Sequence, residues 1–146
     1  MYKLKISKVS FVSETFEIDY EHGVVNTPRL IVEAMRKIWE PDLTLRERIY
    51  VVALNKKLEI TKTMLMSVGG TRNAVLDLSL TSRFLIMSDA VYFAMVHNHP
   101  SGGLTESDSD VKLTQKLKAI GVLLEIQMVD SLIITETSYE SFFDKI

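Results

Sequence analysis

Cysteine is absent from the 146 residues of this sequence. Without thiols the chain can form no disulfide, thiol nucleophile or thiolate zinc site, and the composition suits a reducing cytoplasm, where we expect the protein to reside. Any metal ion would have to be held by imidazole and carboxylate groups. Histidine is scarce too, because His22, His97 and His99 are the only three in the chain.

Long apolar runs are also missing. No run approaches the ~20 apolar residues that span a bilayer. The N-terminus alternates polar and apolar residues, unlike the continuous apolar core of a signal peptide. We therefore expect no association with membranes. The formal net charge of -2 does not favour broad electrostatic binding to nucleic acid, although 17 Lys and Arg residues leave room for a local basic patch.

The composition that remains is that of one ordinary globular domain, with 47% hydrophobic and 25% charged residues. Strand-like and helix-like segments alternate, which predicts a mixed α/β (α+β) fold. The predicted elements are a strand at 8–19, a helix at 28–39 capped by Thr27, a hairpin of strands 48–53 and 58–68, a partly helical segment 78–88, a buried strand 90–96 with His97 at its end, a helix capped by Ser107 and stopped by Gly121, a hairpin of strands 122–129 and 132–135 turning at Asp130-Ser131, and a short turn or helix at 139–143.

The segment from His97 to Asp110 carries the chemistry. Two histidines at positions i and i+2 of a strand point to the same face and can offer two nitrogens to one zinc ion at about 2 Å. A short loop with Pro and Gly then allows Asp110, in the first turn of the next helix, to reach the same ion. Two imidazoles and one carboxylate leave a position for water, as in catalytic rather than structural zinc sites.

Other interpretations of these residues stay open at this point. A lone His-x-His pair is usually an unliganded pair, and Ser107 with Asp110 is typical of a helix N-terminus. The Ser107 hydroxyl can cap the helix or point at an oxyanion beside the metal. A general base is also required, and the 19 acidic residues offer no choice on chemical grounds alone.

The pattern His97-x-His99-x7-Ser107-x2-Asp110 resembles the JAMM (MPN+/JAB) metalloprotease motif at every defined position. The run 97–102 and the later segments 113–114 and 130–134 are similar to the RadC branch of that family. The resemblance extends from about Leu45 to Phe142. It implies a cytidine-deaminase-like mixed β-sheet flanked by helices. It also implies a Zn²⁺ ion on His97, His99 and Asp110, with Ser107 stabilising the tetrahedral intermediate.

The general base of the family is a Glu just before an early apolar strand. Glu47 occupies that place here, so the resemblance implies that Glu47 is the catalytic base. A solvated charge between Arg46 and Arg48 is the alternative interpretation. Glu106 and Asp108 are rival carboxylates by proximity, and we interpret them as loop and first-turn acids.

The chain departs from the RadC pattern in three ways. Glu106 replaces the usual Pro before the motif Ser, and Ser131 replaces the usual His after Asp130. The helix-hairpin-helix module that precedes this domain in full-length RadC proteins is not expected, because residues 1–44 begin with a strand, as in short RadC-like proteins of mobile elements. We therefore predict a strand-and-helix extension at 1–44, packed on a JAB/MPN domain at 45–146.

Three functions follow as hypotheses. The first is a zinc hydrolase that cleaves a peptide or isopeptide bond in a peptide or protein substrate. The second is a non-catalytic interaction module of the MPN fold, which the intact ligand set disfavours. The third is an accessory factor in DNA repair or mobile-element biology, which the acidic net charge does not favour.

Overall fold

The structure, a computed structural model, describes residues 23–39, 43–69 and 76–145. These residues form helices α1 (Pro28–Ile38), α2 (Leu78–Met87) and α3 (Asp108–Leu124), strands β1 (Arg48–Leu54), β2 (Ile60–Val68), β3 (Tyr92–Asn98), β4 (Gln127–Ile134) and β5 (Tyr139–Ser141), and a 3₁₀ turn (Phe143–Lys145). The predicted mixed α/β fold is confirmed. The predicted strand at 8–19 lies outside the described residues.

The described strands form one sheet in the order β2-β1-β3-β4-β5. Strands β1 and β2 form the predicted hairpin, and β1 pairs antiparallel with β3. Strands β3 and β4 are parallel, which requires a crossover connection, and α3 supplies it. The C-terminal end of β3 and the N-terminal end of α3 therefore lie at the same edge of the sheet.

Both faces of the sheet are covered by apolar residues. Val51 belongs to the cluster on the side of α2 and α3, whereas Val52 belongs to the cluster on the side of α1. This two-sided burial explains why β1 and β3 are continuous apolar runs, since alternation is expected only where one face meets water.

Helix α1 begins as predicted, with Thr27 accepting the backbone N–H of Leu30 and Pro28 at the first helical position. In the last turn of this helix, the guanidinium group of Arg36 donates to the backbone carbonyls of Glu136 and Ser138, which follow β4. The helix thus packs on the sheet, while the division of the chain at 44/45 stays a prediction. Among the described residues, no helix combines the length and the apolar character that a bilayer crossing requires.

The predicted stop of α3 at Gly121 is wrong. The helix continues to Leu124, and Glu125 ends it in the left-handed conformation with φ 57°. Gly121 instead allows a close approach, because a Cβ there would lie 2.5 Å from the Ile126 carbonyl oxygen and 3.1 Å from the Phe93 ring. The glycine serves packing against the sheet rather than helix termination.

The predicted hairpin at Asp130-Ser131 is also wrong. Both residues are buried within β4, where the Asp130 carboxylate accepts from the Ser141 hydroxyl at 2.7 Å and the Ser131 hydroxyl bonds that of Thr114 at 2.9 Å. These partners satisfy polar groups that local sequence suggested were exposed in a turn. Residues 139–143 were expected to form a turn or helix, but 139–141 form β5 instead.

We predict that Gly121→Ala destabilises the protein by about 1–3 kcal/mol, the usual cost of overpacking. Alanine normally stabilises a helix interior relative to glycine by about 1 kcal/mol. A loss of stability in Gly121→Ala would therefore indicate overpacking. Urea unfolding would measure the change. Gly23→Ala is the matched control, because a Cβ there would meet no atom within 4 Å among the described residues other than its chain neighbours. Equal stability of the two variants would contradict the packing role of Gly121.

Candidate metal centre

Three predicted ligands meet at the end of β3. The Nε2 atoms of His97 and His99 lie 3.1 Å apart. The Asp110 carboxylate faces both rings, with Oδ1 3.2 Å from His97 Nε2 and Oδ2 3.4 Å from His99 Nε2. His97 and Asp110 are buried, whereas His99 is half-buried and leaves the cluster open on one side.

Local structure explains how these side chains converge. His97 lies inside β3, which extends to Asn98 and so corrects its predicted place at the end of the strand. Asp110 is held by a capping box, in which its Oδ2 accepts the Ser107 N–H at 2.7 Å and its own N–H donates to Ser107 Oγ at 3.1 Å. The helix start thereby aims the carboxylate at the two rings.

The rings are oriented to present their Nε2 atoms. His99 Nδ1 lies 3.0 Å from the carbonyl oxygen of Gly103, which can only accept, so Nδ1 carries a proton and Nε2 presents a lone pair whenever the ring is neutral. Sequence reasoning missed the role of this carbonyl, because backbone acceptors leave no signal in side-chain identity. His97 Nδ1 is buried without a partner among the described residues, and its ring packs edge-on against Phe142.

The separations fit a single cation. Atoms bound at about 2.0–2.1 Å to one ion lie roughly 2.8–3.0 Å apart at octahedral angles and roughly 3.3–3.4 Å apart at tetrahedral angles. The Nε2–Nε2 separation of 3.1 Å and the separations of 3.2 and 3.4 Å from each ring to one of the two Asp110 oxygens span the same range. When both rings present a lone pair at Nε2, atoms this close need a proton or a metal ion between them. The donor set and spacing therefore can bind a metal ion.

Without a metal, the ionisable groups of the cluster shift one another's pKa values. Burial alone would raise the pKa of Asp110, but hydrogen bonds from His97 and His99 outweigh it and hold that pKa well below its usual range. The hydrogen bond to Asp110 raises the pKa of His99, more than burial lowers it, and the charge of Glu47 adds to the rise. The cluster thus favours positive charge at its centre.

Glu47 joins the same cluster from β1. It directly precedes Arg48, the first residue of that strand, and its backbone carbonyl accepts the Gly69 N–H at 2.8 Å. One of its carboxylate oxygens and the ligand atoms of His97, His99 and Asp110 all lie within 4.8 Å of one another. The structure therefore brings Glu47 to the predicted ligands, close enough to act on a group bound beside them.

Ser107 lies at the rim. Its hydroxyl oxygen accepts from the Asp110 N–H, so the predicted N-cap is confirmed, and the side chain is exposed. Within the described ranges the hydroxyl donates to no other group, so its hydrogen is free for a bound molecule. Glu106 is half-buried and Asp108 exposed, and neither belongs to the cluster that could hold a metal.

We predict that the metal-free protein loses stability as the pH rises from about 6. Because the folded-state pKa of His99 is above its unfolded value of about 6.5, its contribution is complete below that value and lost as the pH passes the folded pKa. Asp110 stays ionised throughout this window. Urea unfolding in chelator from pH 6 to 8 would show a shallower decline in His99→Gln, and equal slopes would contradict the interaction.

Comparisons with known proteins find a matching family and similar sequences. A family model described as "RadC-like JAB domain" matches residues 25–145. The chain is 35% identical over 99 residues to a UPF0758 protein of Flavobacterium johnsoniae, covering 68% of this chain and 43% of the relative. It is 31% identical over 143 residues to a UPF0758 protein of Chlorobium phaeovibrioides, covering 93% of this chain and 63% of the relative. For several of the relatives that it matches, the chain spans only about half of the relative's length.

Proposed function

The chain belongs to the RadC-like JAB domain family, and from this premise we propose that it is a zinc-dependent hydrolase of the JAMM type. The bond cleaved is a peptide or isopeptide bond in a peptide or protein substrate. The observation that carries this proposal is the convergence of Glu47 on His97, His99 and Asp110. The lack of cysteine suits a reducing cytoplasm, where we place the activity.

Three protein ligands define the proposed metal position. His97 and His99 would bind through Nε2 and Asp110 through its carboxylate, which leaves coordination positions for water and substrate. Bound zinc would supply a Lewis acid that polarises the scissile carbonyl and lowers the pKa of a bound water towards about 7. Two histidines and a carboxylate also suit Fe(II), so zinc is the choice favoured by the family and metal analysis separates the two.

Glu47 moves the proton in this mechanism. Its carboxylate accepts a proton from the attacking water while the new C–O bond forms at the carbonyl carbon. It then delivers that proton to the nitrogen of the leaving amine as the C–N bond breaks. The position of Glu47, within 4.8 Å of the ligand atoms, supports this transfer.

Ser107 has a second role in the proposal. Its free hydroxyl hydrogen would donate to the oxyanion of the tetrahedral intermediate, while its oxygen caps α3. We predict that Ser107→Ala and Ser107→Gly both slow hydrolysis by roughly 10²-fold. Only Ser107→Ala should lower the free energy of unfolding, by about 1 kcal/mol, since glycine is tolerated at the N-cap position. If Ser107→Gly kept its activity and only the less stable Ser107→Ala lost it, the oxyanion role would be contradicted.

The experiment that tests the proposed function is a substrate screen with metal control. The protein is offered peptide, isopeptide-linked and nucleic-acid substrates as purified, after chelation, and after return of Zn²⁺. We expect cleavage of an amide bond that chelation abolishes and zinc restores. Amide cleavage that survives chelation would contradict the proposal, as would a nuclease activity with no amide cleavage.

A further inference from the structure

We propose that Asn98 is a positioning residue that holds Glu47 beside the metal ligands. The inference rests on the proposed function, because it gives Asn98 a purpose only if Glu47 acts on the bound substrate or water. Asn98 lies between His97 and His99 but does not belong to the metal cluster. Its side chain is fully buried, so its polar groups must find partners within the protein.

In the part of the chain that the structure describes, those partners are backbone groups of the segment that carries Glu47. The Asn98 Oδ1 atom accepts the Arg48 N–H at 2.7 Å. Its Nδ2 atom donates to the Leu43 carbonyl at 2.7 Å and to the Arg46 carbonyl at 2.8 Å. One side chain thus binds the peptide group on each side of Glu47 and uses both of its amide hydrogens.

The sheet register explains this arrangement. Ile49 of β1 pairs with His97 of β3. One step further towards the site, Arg48 of β1 therefore lies opposite Asn98 of β3. Side chains alternate along a strand, which directs Asn98 away from the face that His97 uses. The segment 97–99 therefore supplies metal ligands on one side and anchors the base-bearing segment on the other.

Much of the anchored segment is exposed to solvent. Leu45 is 64% exposed, Arg46 is exposed, and the turn at 43–45 precedes the first ladder pair of β1. The carbonyl of Glu47 also accepts the Gly69 N–H, which holds one point of the backbone. The side chain of Asn98 adds three bonds around that point. Loss of these bonds lets Glu47 move without moving His97 or Asp110.

A merely structural role for Asn98 makes different predictions. A buried asparagine with three bonds contributes to stability whatever lies nearby, so unfolding measurements alone cannot separate the two roles. A positioning role requires that the effect of removing Asn98 pass through Glu47. The two substitutions should then be non-additive in any property that Glu47 controls.

The test uses the full chain with Asn98→Ala, Glu47→Gln, the double variant, and Thr81→Val as control. Thr81 is also fully buried, and its hydroxyl donates to the Asp77 carbonyl far from the cluster in sequence. Each protein is titrated with Zn²⁺, and its Co²⁺-loaded form is titrated with pH while visible absorption is recorded. Asn98→Ser, which is too short to reach both carbonyls, replaces Asn98→Ala if the latter fails to fold.

We expect Asn98→Ala to keep its Zn²⁺ affinity within about tenfold of wild type, because all three ligands remain. The pH midpoint of its Co²⁺ absorption change should shift in the same direction as that of Glu47→Gln and by at least half as much. The double variant should show no further shift of this midpoint. On a cleavable substrate, kcat should fall by about 10- to 100-fold with KM little changed. Thr81→Val should leave the midpoint and kcat at wild-type values.

Three results would overturn the inference, and they can be told apart. If Glu47→Gln shifts the Co²⁺ midpoint and Asn98→Ala does not, the positioning role fails while the proposed role of Glu47 survives. If Glu47→Gln itself has no effect, the role of Glu47 in the proposed function fails and the inference falls with it. Additive shifts in the double variant would also assign Asn98 a role independent of Glu47.

Discussion

Replacing His97 by alanine is expected to weaken Zn²⁺ binding by about 10²–10³-fold. Apparent zinc binding energies of about 10–16 kcal/mol are shared among four ligand positions, so one ligand accounts for roughly 2.5–4 kcal/mol. His97 is the most buried of the three, and its Nε2 atom contacts both His99 and Asp110. Its loss therefore removes a ligand and leaves the other two without their common neighbour.

The measurement is competition for Zn²⁺ between the metal-free protein and a chromophoric chelator. The matched control is His22→Ala, which removes the one histidine outside the predicted ligand set and should leave the affinity unchanged. Zinc should also raise the unfolding temperature of wild type and of the control, but not of His97→Ala at the same concentration. A weakened control, or an unaffected His97→Ala, would place the metal elsewhere.

Replacing Glu47 by glutamine is expected to lower hydrolysis by about 10³-fold while Zn²⁺ is retained. General acid–base catalysis contributes about 10²–10⁴-fold, and glutamine keeps the size of the side chain but cannot take a proton. Zinc affinity should change by less than about tenfold, because the amide still fits the space beside the three ligands. Steady-state kinetics on a cleavable substrate and the same chelator competition would measure both quantities.

The result separates two roles of this carboxylate. If Glu47→Gln weakens zinc as much as His97→Ala does, Glu47 is a fourth ligand and the site is closed, as in structural zinc centres. Glu106→Gln is the matched control for charge, since Glu106 lies one residue before Ser107 but outside the cluster. It should keep activity within about threefold of wild type, the range of an ordinary surface charge change.

The candidate ligand set could be predicted from sequence because its information is local. His97, His99 and Asp110 lie within fourteen positions, and the alternation of a strand and the capping chemistry of Ser107 constrain where their side chains point. The structure brings these residues together as the motif suggested. Residue chemistry alone still left open whether the pair of histidines binds anything, and the family resemblance supplied that step.

Glu47 could not be predicted in this way. It lies 50 positions before His97, and only the pairing of β1 with β3 brings the two together. Long-range strand register has no signature in a single sequence, so the resemblance alone pointed to Glu47. The contacts of Asn98 were invisible for the same reason, because they join 97–99 to 43–48 through backbone atoms.

The errors in the fold have the same origin. Gly121 and Asp130-Ser131 have the composition of a helix stop and of a turn, and local rules assign them so. Packing overrides those rules, because Gly121 meets the backbone at Ile126 and Asp130 finds a buried partner in Ser141. By contrast, the start of α1 depends only on Thr27 and Pro28 and was predicted correctly.

The most direct test of the metal centre is the metal content of the wild-type chain, purified without added zinc and without a histidine tag. Mass-spectrometric elemental analysis should find close to one zinc per chain in wild type and little in His97→Ala. Protein that carries no bound metal in either form, and takes up none from a zinc buffer, would contradict the account. One iron per chain in place of zinc would contradict the choice of metal.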